Sequence, residues 1–193
     1  MSEISTKQFI INTANQLFLE NGYQNVTVVD ICEACKISKT TFYYHLKSKE
    51  DIILHFYDSV THNISQFLMS ILERNNYWDQ LMKCFECLIE EAMKYGTDFF
   101  SQMMISNLKE DYGSYDMREE LTNIAVTIIK KGQEAGQIRN KNEAKSLYQA
   151  SAYAFLGYEV TWCIKKGKFE WLDEVRTALE NIYDVAPEFR KNN

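Results

Sequence analysis

Residues 27–46 of the chain read TVVDICEACKISKTTFYYHL. Thr27 suits a helix N-cap, and Asp30 three residues on completes a capping-box-like pair. A short helix is expected from there to about Cys35. A second begins near Ser38 or Lys39 and runs to about His45, so only a few residues separate the two. That spacing predicts a helix-turn-helix over about 27–46. Val28, Ile31 and Cys32 face inward from the first helix, Ile37 packs from the turn, and Phe42 and Leu46 anchor the second from beneath. Lys39, Thr40, Thr41, Tyr43, Tyr44 and His45 are left on outer or end surfaces. These are donors and acceptors of the kind that read base edges and bond phosphates. The N-terminal residues of a recognition helix reach bases, which assigns Lys39, Thr40 and Thr41 to that task. Tyr43, Tyr44, His45 and Lys49 suit the phosphate backbone. Thr27, Ser38 and Lys47 complete the candidate DNA-binding set. The plain alternative is a solvated helical hairpin with a chance cluster of lysines.

Charge supports the first reading only when it is split along the chain. The 193 residues carry a net charge of −6, which by itself argues against nucleic acid. Residues 1–50, however, hold five lysines against five acids, and no acid lies between Glu33 and Glu50. Lys36, Lys39, Lys47, Lys49 and His45 fill that gap. A basic segment on an acidic protein is a patch, and patches attract phosphates.

Outward from this segment the chain reads as helices. One Pro and seven Gly among 193 residues leave few interruptions. Gly22, Gly96, Gly136 and Gly167 each follow a periodic apolar stretch and act as helix stops, while no run alternates with period two. About nine helices and no sheet are expected: 4–21, two within 27–46, a long one from Ser48, then 77–95, 98–109, 115–135, 142–166 and 169–184. Phe9, Ile10, Ala14, Leu17 and Phe18 form the stripe of the first. Ile53, Phe56, Tyr57, Val60, Ile64, Phe67, Leu68 and Ile71 form that of the fourth. The fold class is all-α. The expected boundary puts a DNA-binding domain at 1–47 and a larger helical domain at 48–193. With 46% apolar residues the chain can build a real core. No run of about 18 apolar residues offers a membrane span, and MSEISTKQF lacks the charged start and apolar run of a secretory leader. A cytoplasmic protein without membrane contact is therefore expected.

The run GYQNVTVVDICEACKISKTTFYYHLKSKEDI, residues 22–52, resembles the DNA-binding domain of the TetR/AcrR family of transcriptional regulators. The likeness is carried by Gly22, Tyr23, Thr27, Ile31, Ser38, Phe42, Tyr43, His45, Leu46, Ser48, Lys49 and Glu50, and extends over about residues 4–55. Two departures stand out. Where many relatives have Ala-Gly-Val-Ser at the turn, this chain has Cys35-Lys36-Ile37-Ser38, so Lys36 must take a positive φ that Gly accepts freely. Thr40 stands where Gly is frequent and offers an extra hydroxyl to the groove. Both bear on which operator is read.

The resemblance implies a C-terminal domain that dimerises and often holds a small molecule. It further implies a dimeric repressor on double-stranded DNA with a near-palindromic operator, released when an effector moves the helix that begins near Ser48. Residues 142–166 are apolar nearly all round, which predicts burial of both faces, one of them against a second copy near Ala150, Ala154 and Gly157. Trp78, Phe85, Phe99, Phe100, Met103, Met104, Tyr158, Glu159 and Trp162 are the candidate ligand residues, since aromatics and Met suit adaptable apolar sites. Ordinary core packing is the alternative for each. Glu159 sits on an apolar helix face with Phe155, Leu156, Trp162 and Cys163. It could meet a cationic ligand or a structural Lys or Arg. Glu86 shares its face with Asp79, Lys83 and Glu90 and is expected to be solvated. A TetR-like regulator without a small-molecule ligand is the second reading.

A thiol or metal sensor is the third. Cys32/Cys35 and Cys84/Cys87 are both C-x-x-C, but 48 residues separate them, far more than the roughly 15–20 of a zinc ribbon. Buried reduced thiols explain all five cysteines, and no metal or cofactor is expected. His55 and His62 read as polar-face residues. No nucleophile elbow, phosphate-cradling loop or zincin motif is present, so no catalytic residue is expected.

Overall fold

The computed structural model describes residues 5–54, 56 and 70–191. Among them the chain is helical: α1 (Thr6–Asn21), α2 (Val28–Cys35), α3 (Lys39–His45), α4 (Glu50–Ile53), α5 (Tyr77–Lys109), α6 (Glu119–Glu134), α7 (Ala144–Ile164) and α8 (Trp171–Ile182). The only β-type pairing among these residues is an isolated bridge between Ile138 and Val185. Most of the expected fourth-helix stripe, and both His55 and His62, lie outside the described residues.

Stops and starts follow local chemistry. Gly22, Gly96, Gly136 and Gly167 all hold φ between 76° and 80°, the left-handed region that favours glycine. At Gly96 the backbone leaves helical geometry, so α5 is two helices joined at a kink. Ser5 Oγ accepts the Gln8 N–H at the start of α1. The buried stripe of α1 is Ile10, Ile11, Ala14 and Phe18. Phe9, expected in that stripe, is half exposed, because Ile11 and not Phe9 shares the inward face with Ile10 and Ala14.

The described residues form two compact units. The first combines those of Met1–Ser59 with Ala92–Tyr115. Its centre is a run of edge-to-face and tilted rings. Phe18 meets Tyr23 at 5.1 Å and Phe99 at 6.2 Å, Tyr23 meets Phe99 at 5.9 Å, and Phe56 meets Phe99 at 5.5 Å and Phe100 at 5.0 Å. Such geometry suits the ring quadrupoles. Around it Ile31, Phe42, Leu46, Ile52, Ile53 and Met103 are buried. Ser114 ties the loop after α5 to the end of α4: its Oγ donates to the Leu54 carbonyl and accepts from Asn107 Nδ2, each at 3.0 Å.

The second unit combines those of Val60–Glu91 with Asp116–Asn193. Gln137 Oε1 accepts the N–H groups of Tyr77 and Trp78, at 2.8 and 3.1 Å, and so caps the start of α5. Trp171 of α8 stacks on Trp162 of α7 at 5.0 Å and lies 5.3 Å from Phe155. Ser151 and Tyr183 share a buried hydroxyl hydrogen bond of 2.8 Å.

Helix α7 is not buried on both faces within one chain. Leu147, Tyr148, Ser151, Phe155, Glu159, Trp162 and Cys163 point inward, whereas Tyr153, Val160 and Ile164 are exposed, Ile164 at 74%. Ala150 and Gly157 join that outer stripe.

Phe99 meets the rings of Phe18, Tyr23, Phe56, Tyr95 and Phe100 and is 1% exposed. Phe99→Ala is expected to destabilise the first unit by about 3–5 kcal/mol, read by denaturant unfolding of the full chain. A loss under about 1 kcal/mol would show that the ring cluster does not support this unit.

Candidate nucleic-acid interface

The helix-turn-helix is fixed from its backbone outward. Thr27 and Asp30 form a full capping box. The Thr27 hydroxyl accepts the Asp30 N–H at 3.3 Å and donates to the Asp30 carboxylate, which also accepts the Thr27 N–H at 2.7 Å. At the other end of α2 Lys36 adopts φ 55°, ψ 43°. The positive φ expected at this turn is thus taken by Lys, at a steric cost of about 1–2 kcal/mol. The Ile37 N–H then bonds back to the Cys32 carbonyl at 3.0 Å.

Helix α3 starts at Ser38, whose Oγ accepts the Thr41 N–H at 3.1 Å and also lies 2.9 Å from Thr41 Oγ1. Phe42 and Leu46 are buried beneath it, at 0% and 2% exposure. The opposite face carries Lys39, Thr40, Tyr43 and Tyr44, all exposed, Tyr44 at 83%. His45 is half-buried with its ring edge-on to Tyr44 at 4.9 Å. Lys47 is exposed, and its N–H donates to Asp51 at 2.9 Å.

The candidate DNA-binding residues thus fall into three groups. Lys39, Thr40, Tyr43, Tyr44 and Lys47 present free surface, and His45 borders it. The hydroxyls of Thr27, Ser38 and Thr41 are engaged in capping bonds. Lys49 is turned inward: its Nζ donates to the carbonyls of Tyr23 and Val26, each at 2.9 Å, and sits 3.9 Å over the Tyr23 ring. Nothing in the sequence reading anticipated this, because both carbonyls come from a turn more than twenty residues away.

Charges around Lys49 are tuned by burial and by each other. Burial pushes its ammonium down from its ordinary value, against the neighbouring Glu50 charge. Burial pushes the Glu50 carboxyl up. Hydrogen bonds from Ser48, its own backbone and Tyr23, with the Lys49 charge, outweigh that and leave it below the usual range. Burial, then the Glu50 charge, raises the Tyr23 phenol far above its usual value, so it stays protonated and donates to Glu50 at 3.3 Å.

The candidate ligand residues are divided between the two units. Phe99, Phe100 and Met103 belong to the core of the first unit, with Met104 half-buried there. Trp78, Phe85, Tyr158, Glu159 and Trp162 belong to the second. Trp78 and Glu159 are fully buried, Phe85 and Trp162 nearly so, and Tyr158 is half-buried. Phe85 lies 5.9 Å from Phe155. Glu86, expected to be solvated, is only 15% exposed and draws Arg176 at 3.2 Å, Arg74 at 3.6 Å and Lys83 at 3.7 Å.

All five cysteines are buried as free thiols. Burial raises the thiols of Cys32 and Cys87 and pushes Cys84 up to about 12, which suppresses the reactive thiolate. Among the described residues no three His, Cys, Asp or Glu side chains gather to hold a metal, and no helix is long and apolar enough to cross a membrane.

The capping box makes α2 sensitive to acid. The Thr27 hydroxyl, and then its backbone N–H, hold the Asp30 carboxyl below its ordinary value. A carboxylate lowered in the folded state stabilises above its unfolded pKa and loses that effect as pH falls through the folded one. Asp30→Asn is therefore expected to lower the melting temperature at pH 7 relative to wild type, with the gap closing towards pH 3. Thr27→Ala is expected to cost about 1 kcal/mol at pH 7. Equal melting of wild type and Asp30→Asn at pH 7 would contradict the cap.

Residues 10–56 match the family described as bacterial regulatory proteins, tetR family. The Transposon Tn10 TetC protein of Escherichia coli is 32% identical over 82 residues, 42% of this chain and 42% of that protein. The uncharacterized HTH-type transcriptional regulator YuxN of Bacillus subtilis (strain 168) is 33% identical over 127 residues, 63% of this chain and 40% of that protein. The matched segments thus span about two fifths of these relatives' length. In overall fold the chain resembles the crystal structure of a TetR-family transcriptional regulator from Cytophaga hutchinsonii. The TM-score is 0.62 at 21% identity, over 95% of this chain and 97% of that one. The capped two-helix reader and the match over residues 10–56 agree: this segment is an N-terminal domain of the kind that defines the tetR family of bacterial regulatory proteins, and the all-helical body shares the fold of the Cytophaga hutchinsonii regulator.

Proposed function

We propose that this chain is a homodimeric repressor of transcription that reads a near-palindromic operator with α2 and α3 and leaves it when a small apolar or cationic molecule binds. In this reading it works on cytoplasmic DNA and catalyses no reaction. One observation carries it above the others. Helix α3 is held from beneath by buried Phe42 and Leu46 and turns Lys39, Thr40, Tyr43 and Tyr44 outward from an acid-free stretch. A helix so anchored can enter a major groove without losing core contacts. Lys39 and Thr40 supply the base-edge contacts. Tyr43, Tyr44, His45 and Lys47 supply the phosphate contacts that set register.

Dimerisation is supported by the outer stripe of α7. Ala150, Tyr153, Gly157, Val160 and Ile164 are exposed at helical spacing, and small residues among them let a second copy of the helix come close. A two-fold pair built on that stripe carries two readers, which successive major grooves accept at about 34–36 Å or a multiple of it.

The ligand is supported from the second unit alone. Glu159 is fully buried on the face of α7 that carries Phe155 and Trp162, and Trp171 stacks on Trp162. A carboxylate beside aromatic rings suits an organic cation. Trp78 and Trp171 bury indole N–H groups that have no hydrogen-bond partner among the described residues. The packing of Phe99, Phe100 and Met103 into the first unit favours a second reading, a regulator of the same type that takes no small molecule. The raised thiols weigh against a thiol sensor.

Selection of bound duplexes from a random pool, at two salt concentrations, tests the leading reading. A palindrome is expected, with affinity falling steeply with salt. Lys39→Ala is expected to weaken the selected site, and Val160→Glu to turn a sedimenting dimer into a monomer that binds half-sites weakly. No enrichment at low salt would overturn DNA reading. A wild-type monomer on the selected site would overturn the dimer.

A further inference from the structure

Lys49 lies beside the candidate DNA surface, yet its ammonium is spent inside the domain. An ammonium has three N–H donors. Two go to the carbonyls of Tyr23 and Val26 at 2.9 Å, and the Tyr23 ring lies 3.9 Å beneath the charge. At most one donor is left for a phosphate. The two carbonyls bound the single 3-10 turn Tyr23–Asn25, which follows α1, and Val26 directly precedes the Thr27 cap of α2. Lys49 itself directly precedes α4. A second strut runs parallel to it, the Tyr23 hydroxyl donating to Glu50 Oε1 at 3.3 Å. Tyr23 is 3% exposed and packs on Phe18 and Phe99, so the anchor is rigid.

We propose that Lys49 is a positioning residue: an internal clamp that fixes the turn before α2 to the start of α4, and so sets the attitude of the α2–α3 reader, instead of a contact to the DNA backbone. The inference rests on the DNA-binding reading above. Three physical points support it. The Tyr23 carbonyl meets the Val26 N–H at a long 3.4 Å, so both turn carbonyls gain from a further donor, and a charged donor makes stronger bonds than a neutral one. The cation over the Tyr23 face adds to the same contact. Two bonds to backbone, unlike a bond to a side chain, fix the position of the chain itself. A displacement carried along α4 would thus reach α2 and α3 as one rigid piece.

The test compares wild type, Lys49→Met, Lys49→Arg and Lys39→Ala on the duplex recovered from the random pool and on a scrambled duplex of equal length. Circular dichroism at the assay temperature confirms folding. A lost phosphate contact flattens the slope of log affinity against log salt by about one. A lost clamp leaves that slope alone and lowers the ratio of selected to scrambled affinity. Lys49→Met is expected to lose about tenfold on the selected duplex, little on the scrambled one, with a wild-type salt slope. Lys49→Arg, whose fork can reach both carbonyls, is expected to recover most of that loss. If Lys49→Met is not folded, Tyr23→Phe, which removes only the second strut, is expected to show a smaller loss of the same kind.

A slope flattened by about one in Lys49→Met, with the ratio kept, would make Lys49 a phosphate contact and overturn the clamp. Wild-type affinity and ratio in Lys49→Met, or in Tyr23→Phe where it is the variant tested, would overturn it as well. Failure of the wild-type chain to enrich any duplex would show up before a variant is made, and would overturn the DNA-binding reading and the clamp together.

Discussion

A reader helix of seven residues cannot hold itself in place, and the first unit is organised around that constraint. Helices α2 and α3 together bury Ile31, Cys32, Cys35 and Phe42, too little apolar area for an independent fold. The missing core comes from far along the chain. Phe99 and Phe100, near the middle of the sequence, close the ring cluster with Phe18, Tyr23 and Phe56. The rigidity that lets α3 present Lys39, Thr40, Tyr43 and Tyr44 in one orientation is therefore a long-range property. An amphipathic helix gains most of its stability from what its apolar face meets.

Local chemistry was legible in the sequence wherever one residue or a short spacing decides the geometry. The capping pair Thr27 and Asp30, the forced positive φ at Lys36 and the stops at Gly22, Gly96, Gly136 and Gly167 are all intrinsic to the chain near them. Helical period also gave the anchors Phe42 and Leu46. Partner choice was not legible, since it depends on residues brought together only by the fold. Phe99 and Phe100 look the same in sequence whether they line a ligand site or close a ring cluster with Phe18, Tyr23 and Phe56. The same holds for Lys49, whose basic neighbourhood suggests phosphate while its acceptors lie in the turn after α1. Helix α7 shows the limit of composition as a guide. An all-round apolar helix leaves open which face packs within its own chain, and here Tyr153, Val160 and Ile164 stay exposed.

Two carboxylates of the second unit lie at different depths. Glu86 is nearly buried, and three cations surround it. Arg176 comes from α8, Arg74 precedes α5, and Lys83 sits one helical turn away and also reaches Glu90 at 3.1 Å. On the helix wheel alone, Asp79, Lys83 and Glu90 suggested a wet face. The dominant partner, Arg176, lies 90 residues on and left no local trace. Desolvating a carboxylate costs several kcal/mol, so such a position is occupied only where cations offset it. Glu159 is buried further, at 0% exposure, on a face shared with Phe155 and Trp162.

The opposition between total and local charge has the same logic at larger scale. Repulsion between an acidic chain and a polyanion is largely screened beyond about 8–10 Å, so charge at the interface decides binding. Residues 34–49 contain no acid, and Lys36, Lys39 and Lys47 are exposed. Lys49 carries the same charge but directs it at two carbonyls within the domain. A count of lysines therefore overstates the phosphate-facing charge. A surface with fewer free cations gains less from counterion release. In the proposed DNA-binding reading more of the discrimination then falls to Lys39, Thr40 and the adjoining aromatic side chains, and the attitude of α3, hence the proposed joint between the turn at Tyr23 and the start of α4, matters more than charge alone.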